Sequence, residues 1–335
     1  MIKEALVLLS AGKDLDRATM VGVMDEIMEG QATPAQIGAF LMGLRIKGET
    51  VDEITGAAQV MRAKARKITP PGPCLDTCGT GGDHSLTFNI STTAAFIAAG
   101  AGLTVAKHGN RAASSACGSA DVLGALGVNL EARPETVERC LAEVGIGFLF
   151  APSLHGAMKH AIGPRREMGL RTIFNLLGPL TNPAGASRQL LGVFDAGLTA
   201  PLARTLRNLG SEAAMVVHGL DGLDEITLTG PTQVSELKDG EVKTYILSPE
   251  DLGLTLCAKQ DLQGGDAAAN AELLKRVLAG EPGPALQVSL LNAGAAIYVG
   301  GKAESLAEGL VAARESVATG AALKKLEHLV AVSKG

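Results

Sequence analysis

Residues 76–110 place the tightest constraint on what this chain can become. Asp76-Thr77-Cys78 runs into Gly-Thr-Gly-Gly-Asp at 79–83, with three glycines in four residues. Seven residues after the last of them comes Asn89-Ile90-Ser91-Thr92. A small-residue run, STTAAFIAAGAG, is followed by the apolar stretch LTVAKHGN. The order is short strand, turn, helix, strand. Two strands joined through a helix lie parallel, so the unit predicts an α/β sheet. The glycine turn and the polar loop from Lys107 onward then emerge at one sheet edge, beyond the carboxyl ends of the strands, where ligands collect in open α/β sheets. A glycine turn leading into a helix that starts near Ser91 offers backbone N–H groups and a positive helix end to a phosphate. A tight turn followed by a helix cap satisfies the same pattern. The spacing matches neither a Walker loop nor a dinucleotide fingerprint.

Around this unit the chain divides. Residues 1–65 read as helices. Thr33-Pro34 supplies a cap and a first-turn proline, and Ile37, Phe40, Leu41 and Leu44 follow a helical period that Gly48 ends. TVDE at 50–53 is a capping box for the next helix, with Val51, Ile54 and Met61 on its apolar side. ITPPGPC at 68–74 is a stop and a hinge. Beyond it the alternation continues: helix 134–144, strand 146–151, helix 153–168, strand 188–194, helix 198–209 and strand 213–218. A hairpin turning at Asp239-Gly240 follows, then a mostly helical tail from about 266. LLGPLTNPAG, with two prolines and two glycines, predicts a fixed irregular segment.

Four stretches carry chemistry. The glycine turn is one. The second is KHGNRAASSACGSAD at 107–121, with Lys107, His108, Asn110 and Arg111 ahead of Ser114, Ser115 and Ser119. Lys107 and the loop N–H groups suit a second phosphate, although a lone histidine such as His108 is more often a satisfied loop residue. The third is DGLDEIT, where Asp224 and Glu225 follow an apolar strand. Adjacent acids usually face solvent, but at a strand's carboxyl end they can hold Mg²⁺, which takes one or two carboxylates plus waters and phosphate oxygens. The fourth holds Arg165, Arg166 and Arg171 within seven residues. An arginine reaching a cleft is the natural bidentate partner of a carboxylate.

The bulk numbers exclude several classes. Net charge is −5 and tryptophan is absent, so neither a basic stripe nor stacking aromatics point to nucleic acid. Residues 107–171 carry 8 Lys/Arg against 6 Asp/Glu while the chain as a whole is acidic, which places an anionic ligand there. No apolar run reaches the ~18–20 residues of a membrane span, the N-terminus has no signal-peptide pattern, and five irregularly spaced cysteines predict reduced thiols and a cytoplasmic location.

In this order GTGGD, NIST, KHGNRAASS, GSAD, RTIFNLLGPLTNPAG and DGLDE resemble the anthranilate phosphoribosyltransferase family of tryptophan biosynthesis, over essentially the whole chain. The resemblance implies an α/β fold of the nucleoside phosphorylase and phosphoribosyltransferase type. In it a small all-helical N-terminal domain (1–70, joined by part of 155–185) sits beside a larger α/β domain (71–335) with a central, mostly parallel sheet. It implies a homodimer through the helical domain and two Mg²⁺ ions per subunit. The reaction it implies joins anthranilate to 5-phosphoribosyl 1-diphosphate. Carried over, Gly79, Gly82, Asp83, Thr87, Asn89, Ile90, Ser91 and Thr92 line the diphosphate substrate, with Lys107, His108, Gly109, Asn110, Arg111, Ala112, Ala113, Ser114, Ser115 and Ser119. Anthranilate meets Gly79, Asn110 and Arg165, with His108 and His155 nearby, and Ser91, Asp224 and Glu225 hold the metal. The resemblance implies no covalent nucleophile. Ala116 stands where many members carry Lys or Arg, and Gly156 where proline is frequent. The alternatives are a pyrimidine nucleoside phosphorylase-like enzyme, phosphoribosyl transfer to another aromatic acceptor, or a phosphosugar-binding regulator, which the acid pair disfavours.

Overall fold

Four helices, Ile2–Ser10, Arg17–Met28, Pro34–Lys47 and Val51–Lys64, fill the first part of the chain in a computed structural model that describes residues 1–83, 85–112 and 117–335. Both expected capping boxes form. Thr33 and Gln36 exchange side-chain and backbone bonds, as do Thr50 and Glu53, so each helix start has two of its orphan N–H groups satisfied. Ile37, Phe40, Leu41 and Leu44 are all buried, and Gly48 ends its helix at φ +86°.

Seven strands form one sheet: β1 Leu75–Gly79, β2 Val105–Gly109, β3 Ile146–Phe150, β4 Arg188–Gly192, β5 Ala213–Gly219, β6 Thr232–Lys238 and β7 Glu241–Leu247. The order is β3-β2-β1-β4-β5-β6-β7. The first five are mutually parallel and β6 and β7 are antiparallel additions. The chain leaves β1 toward β2 and β3, then returns to build β4 and β5 on the other side. The crevice between β1 and β4 is therefore the switch point at which such sheets bind ligands. The hairpin turns at Asp239 and Gly240, both at positive φ as a two-residue turn of this hand requires.

The small-residue helix Ile90–Gly100 is buried along nearly its whole length against helices Pro284–Val299 and Ala321–Val332. Helices Pro284–Val299 and Leu306–Ala318 cross with Gly294 and Gly309 backbone to backbone, and a Cβ on Gly309 would overlap the Gly294 carbonyl. Small residues thus set how near these helices come.

Three expected elements differ. The segment LLGPLTNPAG is half helical, because helix Ile173–Leu180 continues through Pro179 in its last turn. Its terminal carbonyls are captured by side chains. Gln189 Nε2 donates to Pro179 O (2.7 Å), Thr181 Oγ1 to Gly178 O (3.0 Å), and Arg62 Nε to Leu180 O (2.7 Å). The half-buried Arg62 also reaches Leu209 O (3.2 Å), so one cation meets the negative ends of two helices. The helix expected over 153–168 is broken into Ala151–Leu154 and Lys159–Met168, with His155 between them in a non-helical conformation. Strand β4 stops at Gly192 rather than 194. Helices Lys159–Met168 and Ile173–Leu180 pack on the N-terminal helices, and Ala161, Ile173, Phe174 and Leu177 share a core with Phe40, Leu41 and Met61.

Candidate active site

The carboxyl ends of β1 and β5 bring the glycine turn and the acid pair together. Gly79 ends β1, and a Cβ there would lie 2.5 Å from Asp224 Oδ2. Gly192 has the same requirement more severely, since its Cβ would overlap the Asp224 carbonyl. Asp224 Oδ2 accepts from Gly81 N–H at 2.9 Å, and Glu225 Oε1 accepts from Ser91 N–H at 3.0 Å. Thr80 N–H donates to Gly192 O (2.9 Å), anchoring the turn to β4. Glu225 thus caps the helix that begins at Ile90. The helix cap that the sequence pattern allows after the glycine turn therefore comes from an acid 134 residues away rather than from the local Asn-Ser-Thr segment. Asn89 occupies the cap position but its side chain does not cap: its amide is held by Cys117 and Asn270 instead, with Nδ2 on Cys117 O at 3.1 Å and Oδ1 on Asn270 Nδ2 at 3.1 Å.

These acids lie close enough to feel one another. Burial first, then the charges of Asp83 and Glu225, push the Asp224 carboxyl well above its ordinary range. Burial also pushes Glu225 up to about 7, against the attraction of Lys107 and the Ser91 bond. Among the described residues Asp83 Oδ2 is buried with no hydrogen-bond partner.

Lys107 sits beneath the site rather than at its rim. It is buried, and Nζ donates to Thr77 O (2.5 Å) with Ser91 Oγ at 3.5 Å. Behind it lies a polar layer. Asp76 accepts from His108 N–H (3.1 Å) and Asn182 Nδ2 (2.8 Å), and Asn182 Nδ2 also donates to Ala106 O (2.7 Å). The rings of His108 and His155 meet through their Nε2 atoms at 3.2 Å. Burial lowers His108 to about 3 and His155 to about 4, so both are neutral at physiological pH. The break at His155 is what lets its ring reach His108.

The remaining residues fall around this centre. Gly82, at φ +80°, lies beside the Arg171 guanidinium, which stacks on Phe194 at 4.3 Å. Thr87 Oγ1 is 3.2 Å from Ser85 Oγ, while Ile90 and Thr92 are buried. Gly109 has no room for a Cβ beside Ser119 and Phe148. Asn110 Oδ1 accepts from Arg111 N–H (2.7 Å), and its carbonyl accepts from Ser119 Oγ (3.4 Å). Arg111 is engaged by Asp121 (3.1 Å), whose other oxygen takes Ala112 N–H (2.9 Å) and Gly118 N–H (3.0 Å). Asp121 thereby ties the two ends of the basic loop. Ala113, Ser114 and Ser115, with Ala116 and His84, lie outside the described residues. Arg165 is half-buried with its guanidinium 5.0 Å over the Phe174 ring, and no ion pair to it occurs among the described residues.

Known proteins match this chain along its length. The helical bundle domain of a glycosyl transferase family matches residues 3–65, and the a/b domain of the same family matches residues 71–323. The anthranilate phosphoribosyltransferase of Acetivibrio thermocellus is 55% identical over 98% of this chain and 96% of its own. That of Syntrophotalea carbinolica is 52% identical over the full length of both. The crystal structure of the Thermus thermophilus enzyme superposes with a TM-score of 0.93 at 44% identity, covering 100% of this chain and 99% of that one. This chain belongs to the anthranilate phosphoribosyltransferase family. A Saccharomyces cerevisiae member, solved in complex with PRPP and Mg, superposes with a TM-score of 0.90 at 28% identity, covering 99% of this chain and 98% of that one.

The acid cluster suits the divalent cation named for that family member. It holds an orphaned carboxylate oxygen and like charges that raise one another's proton affinity, and a cation relieves both. Among the described residues no three His, Cys, Asp or Glu side chains close around one point, so a bound ion completes its shell from water and ligand oxygens. Sequence reasoning missed Asp76, Asp121, Asn182, Gly192 and Asn270. Asp76, Asn182, Gly192 and Asn270 act through partners distant in sequence, and only the DT before the glycine turn and the NP of LTNPAG hinted at two of them, while Asp121 acts within its own loop on Arg111, Ala112 and Gly118.

Proposed function

We propose that this chain transfers the phosphoribosyl group from 5-phosphoribosyl 1-diphosphate to anthranilate, releasing pyrophosphate, in tryptophan biosynthesis. One observation carries the reading: Asp224 is held on Gly81 N–H of the glycine turn and Glu225 on Ser91 N–H at the start of the following helix, with the charges of Asp83 and Glu225 adding to the burial that raises the Asp224 carboxyl. Family membership supplies the two substrates.

The bond broken is C1–O to the diphosphate, and the bond formed is C1–N to the acceptor amine. The ribose ring oxygen shares positive charge as the leaving group departs, so leaving-group stabilisation and positioning supply most of the catalysis. The turn is anchored at Thr80 and Gly81, leaving the backbone from Gly82 on to meet the diphosphate. In this assignment Gly79, Gly82, Asp83, Thr87, Asn89, Ser91 and Thr92 line that substrate, and the loop from Lys107 through Ser115, with Ser119, completes the pocket. The buried Lys107 acts by holding Thr77 O and countering Glu225. Ser91, Asp224 and Glu225 would hold the metal, two Mg²⁺ ions per subunit, which when bound neutralises charge on the diphosphate. Arg165, its plane held by Phe174, grips the anthranilate carboxylate. His108 and His155, both neutral, leave that negative charge to Arg165. The amine is itself the nucleophile.

The domain division at residue 70, with part of 155–185 joining the helical unit, is supported by the packing of helices Lys159–Met168 and Ile173–Leu180 on the N-terminal helices and by the family's separate helical match over residues 3–65. A homodimer through the helical domain is supported by Val7, Met42 and Ile46, exposed on two helices that pack side by side. A cytoplasmic location is supported by five free cysteines. No helix among the described residues is long and apolar enough to cross a membrane.

The test is the loss of anthranilate fluorescence when protein, phosphoribosyl diphosphate and Mg²⁺ are mixed. Loss that requires all three supports the reading. Folded, metal-replete protein that consumes no anthranilate removes it as acceptor.

A further inference from the structure

We infer that Asn270 is a positioning residue for the diphosphate pocket, fixing which way the Asn89 amide points. The inference rests on the function proposed above. Asn270 is 2% exposed, on helix Ala267–Leu278, and is 181 residues from Asn89 in sequence.

The polarity of the chain follows from its two ends. Gly265 N–H can only donate, so the Asn270 atom it meets at 2.8 Å is Oδ1. The other face of Asn270 is then Nδ2, a donor, and it meets Asn89 Oδ1 at 3.1 Å. Cys117 O can only accept, so the Asn89 atom it meets at 3.1 Å is Nδ2. Each assignment agrees with the others, so the Asn89 amide has one orientation that satisfies all its partners. Among the described residues the second hydrogen on Asn89 Nδ2 meets no acceptor, so it can serve an anionic ligand. The same link ties the glycine-turn loop to Cys117, at the foot of the basic loop.

The segment leading to Asn270 is built for this task. Phe88 N–H donates to Leu262 O (3.2 Å), Gly264 N–H donates to Leu86 O (2.9 Å), and Thr87 bridges Gln263. Leu86 is held at φ +56°, a conformation uncommon for a branched side chain. A Cβ on Gly264 would lie 2.8 Å from Phe88 N and 2.7 Å from Asn270 Oδ1. Residues 262–270 therefore strap the loop that carries Thr87 and Asn89 from behind.

Asn270→Ala removes the donor to Asn89. Asn270→Asp also reverses it, because a carboxylate cannot donate and would draw the Asn89 NH₂ away from Cys117. Both full-length variants are tested by calorimetric titration with phosphoribosyl diphosphate in Mg²⁺, by KM for each substrate, and by thermal melting. The expected result is phosphoribosyl diphosphate affinity weakened about 5–10-fold in the alanine variant, as for one lost hydrogen bond. The aspartate variant should be weaker still, with the anthranilate KM within about twofold of wild type. Unchanged affinity in both variants overturns the inference, and so does an equal loss in both that merely follows the fall in Tm. If the aspartate variant does not fold, the substrate split in the alanine variant decides. Wild-type protein that binds phosphoribosyl diphosphate without consuming anthranilate refutes the acceptor, and the binding arm still judges Asn270. Wild-type protein that binds no phosphoribosyl diphosphate refutes the proposed function itself.

Discussion

Glu53 and Glu225 are both buried carboxylates, at 0% and 9% exposure, in surroundings of opposite design. In the helical domain Glu53 is surrounded by donors: Leu15 N–H (2.9 Å), Thr50 N–H (2.7 Å) and Lys47 Nζ (2.9 Å). In the α/β domain Glu225 has Ser91 N–H and the nearby Lys107, but it shares its space with Asp224 and Asp83. The first acid is neutralised by the chain itself and serves stability. The second is left under-neutralised, and its satisfaction waits on something the chain does not supply. A buried charge is costly unless paired, so the contrast separates a structural acid from a ligand-binding one without reference to any relative.

The harshest way to break this comparison is Asp224→Asn with Glu225→Gln. It should lower kcat/KM by about a thousandfold or more at ordinary Mg²⁺, given the several kcal/mol that a metal Lewis acid supplies. Near-normal turnover in a steady-state assay would refute the metal role. The complementary change, Glu53→Gln, should cost about 3 kcal/mol in denaturant unfolding, because Lys47 loses a buried partner. Its KM values should stay at wild type, and a large KM effect would erase the distinction between the two acids. Arg165→Ala should raise the KM for anthranilate about 10–100-fold, the worth of a charge-assisted pair, while leaving phosphoribosyl diphosphate binding intact. Equal damage to both substrates would remove Arg165 from the acceptor site.

The smallest expected effect is on pH. His108 and His155 have folded pKa values of about 3 and about 4, below the ordinary value of 6.5. The unfolded chain then binds more protons, so their contribution is intact above about pH 6.5 and lost as pH falls toward 4. Asp76, raised to about 6, and Glu225, raised to about 7, work in reverse: they lose stability as pH rises through those values. Melting of metal-free protein across pH should therefore fall toward acid, where the histidines charge, and toward alkali, where Asp76, Glu225 and the raised Asp224 ionise, and Mg²⁺ should lift only the alkaline limb. A lift of the acid limb as well would show that the acid cluster is not where the cation acts.

Much of this was legible in the sequence because the signals were local. Thr33 with Gln36 and Thr50 with Glu53 are capping boxes within one turn, and the glycine turn announces a strand-to-helix connection within a few residues. The acid pair after β5 was legible too, since an apolar strand delivers whatever follows it to the sheet edge. What failed was non-local. Glu225, not Asn89, caps the helix at Ile90, because the sheet order sets β5 two strands from β1. The helix through Pro179 persists because Arg62, 118 residues away, and Gln189, on the next strand, take its last carbonyls. The break at His155 is fixed by a ring 47 residues away.

The most direct test of the contrast is the stability of Glu225→Gln at pH 8, in chelator and in Mg²⁺. Neutralising an acid that sits among like charges should stabilise the metal-free protein by about 1–2 kcal/mol. In Mg²⁺ the wild type should overtake the variant, which gains little from the ion. A variant that is less stable than wild type in chelator, as Glu53→Gln should be, would mean that Glu225 is an ordinary structural acid and that the cluster was not built around a cation.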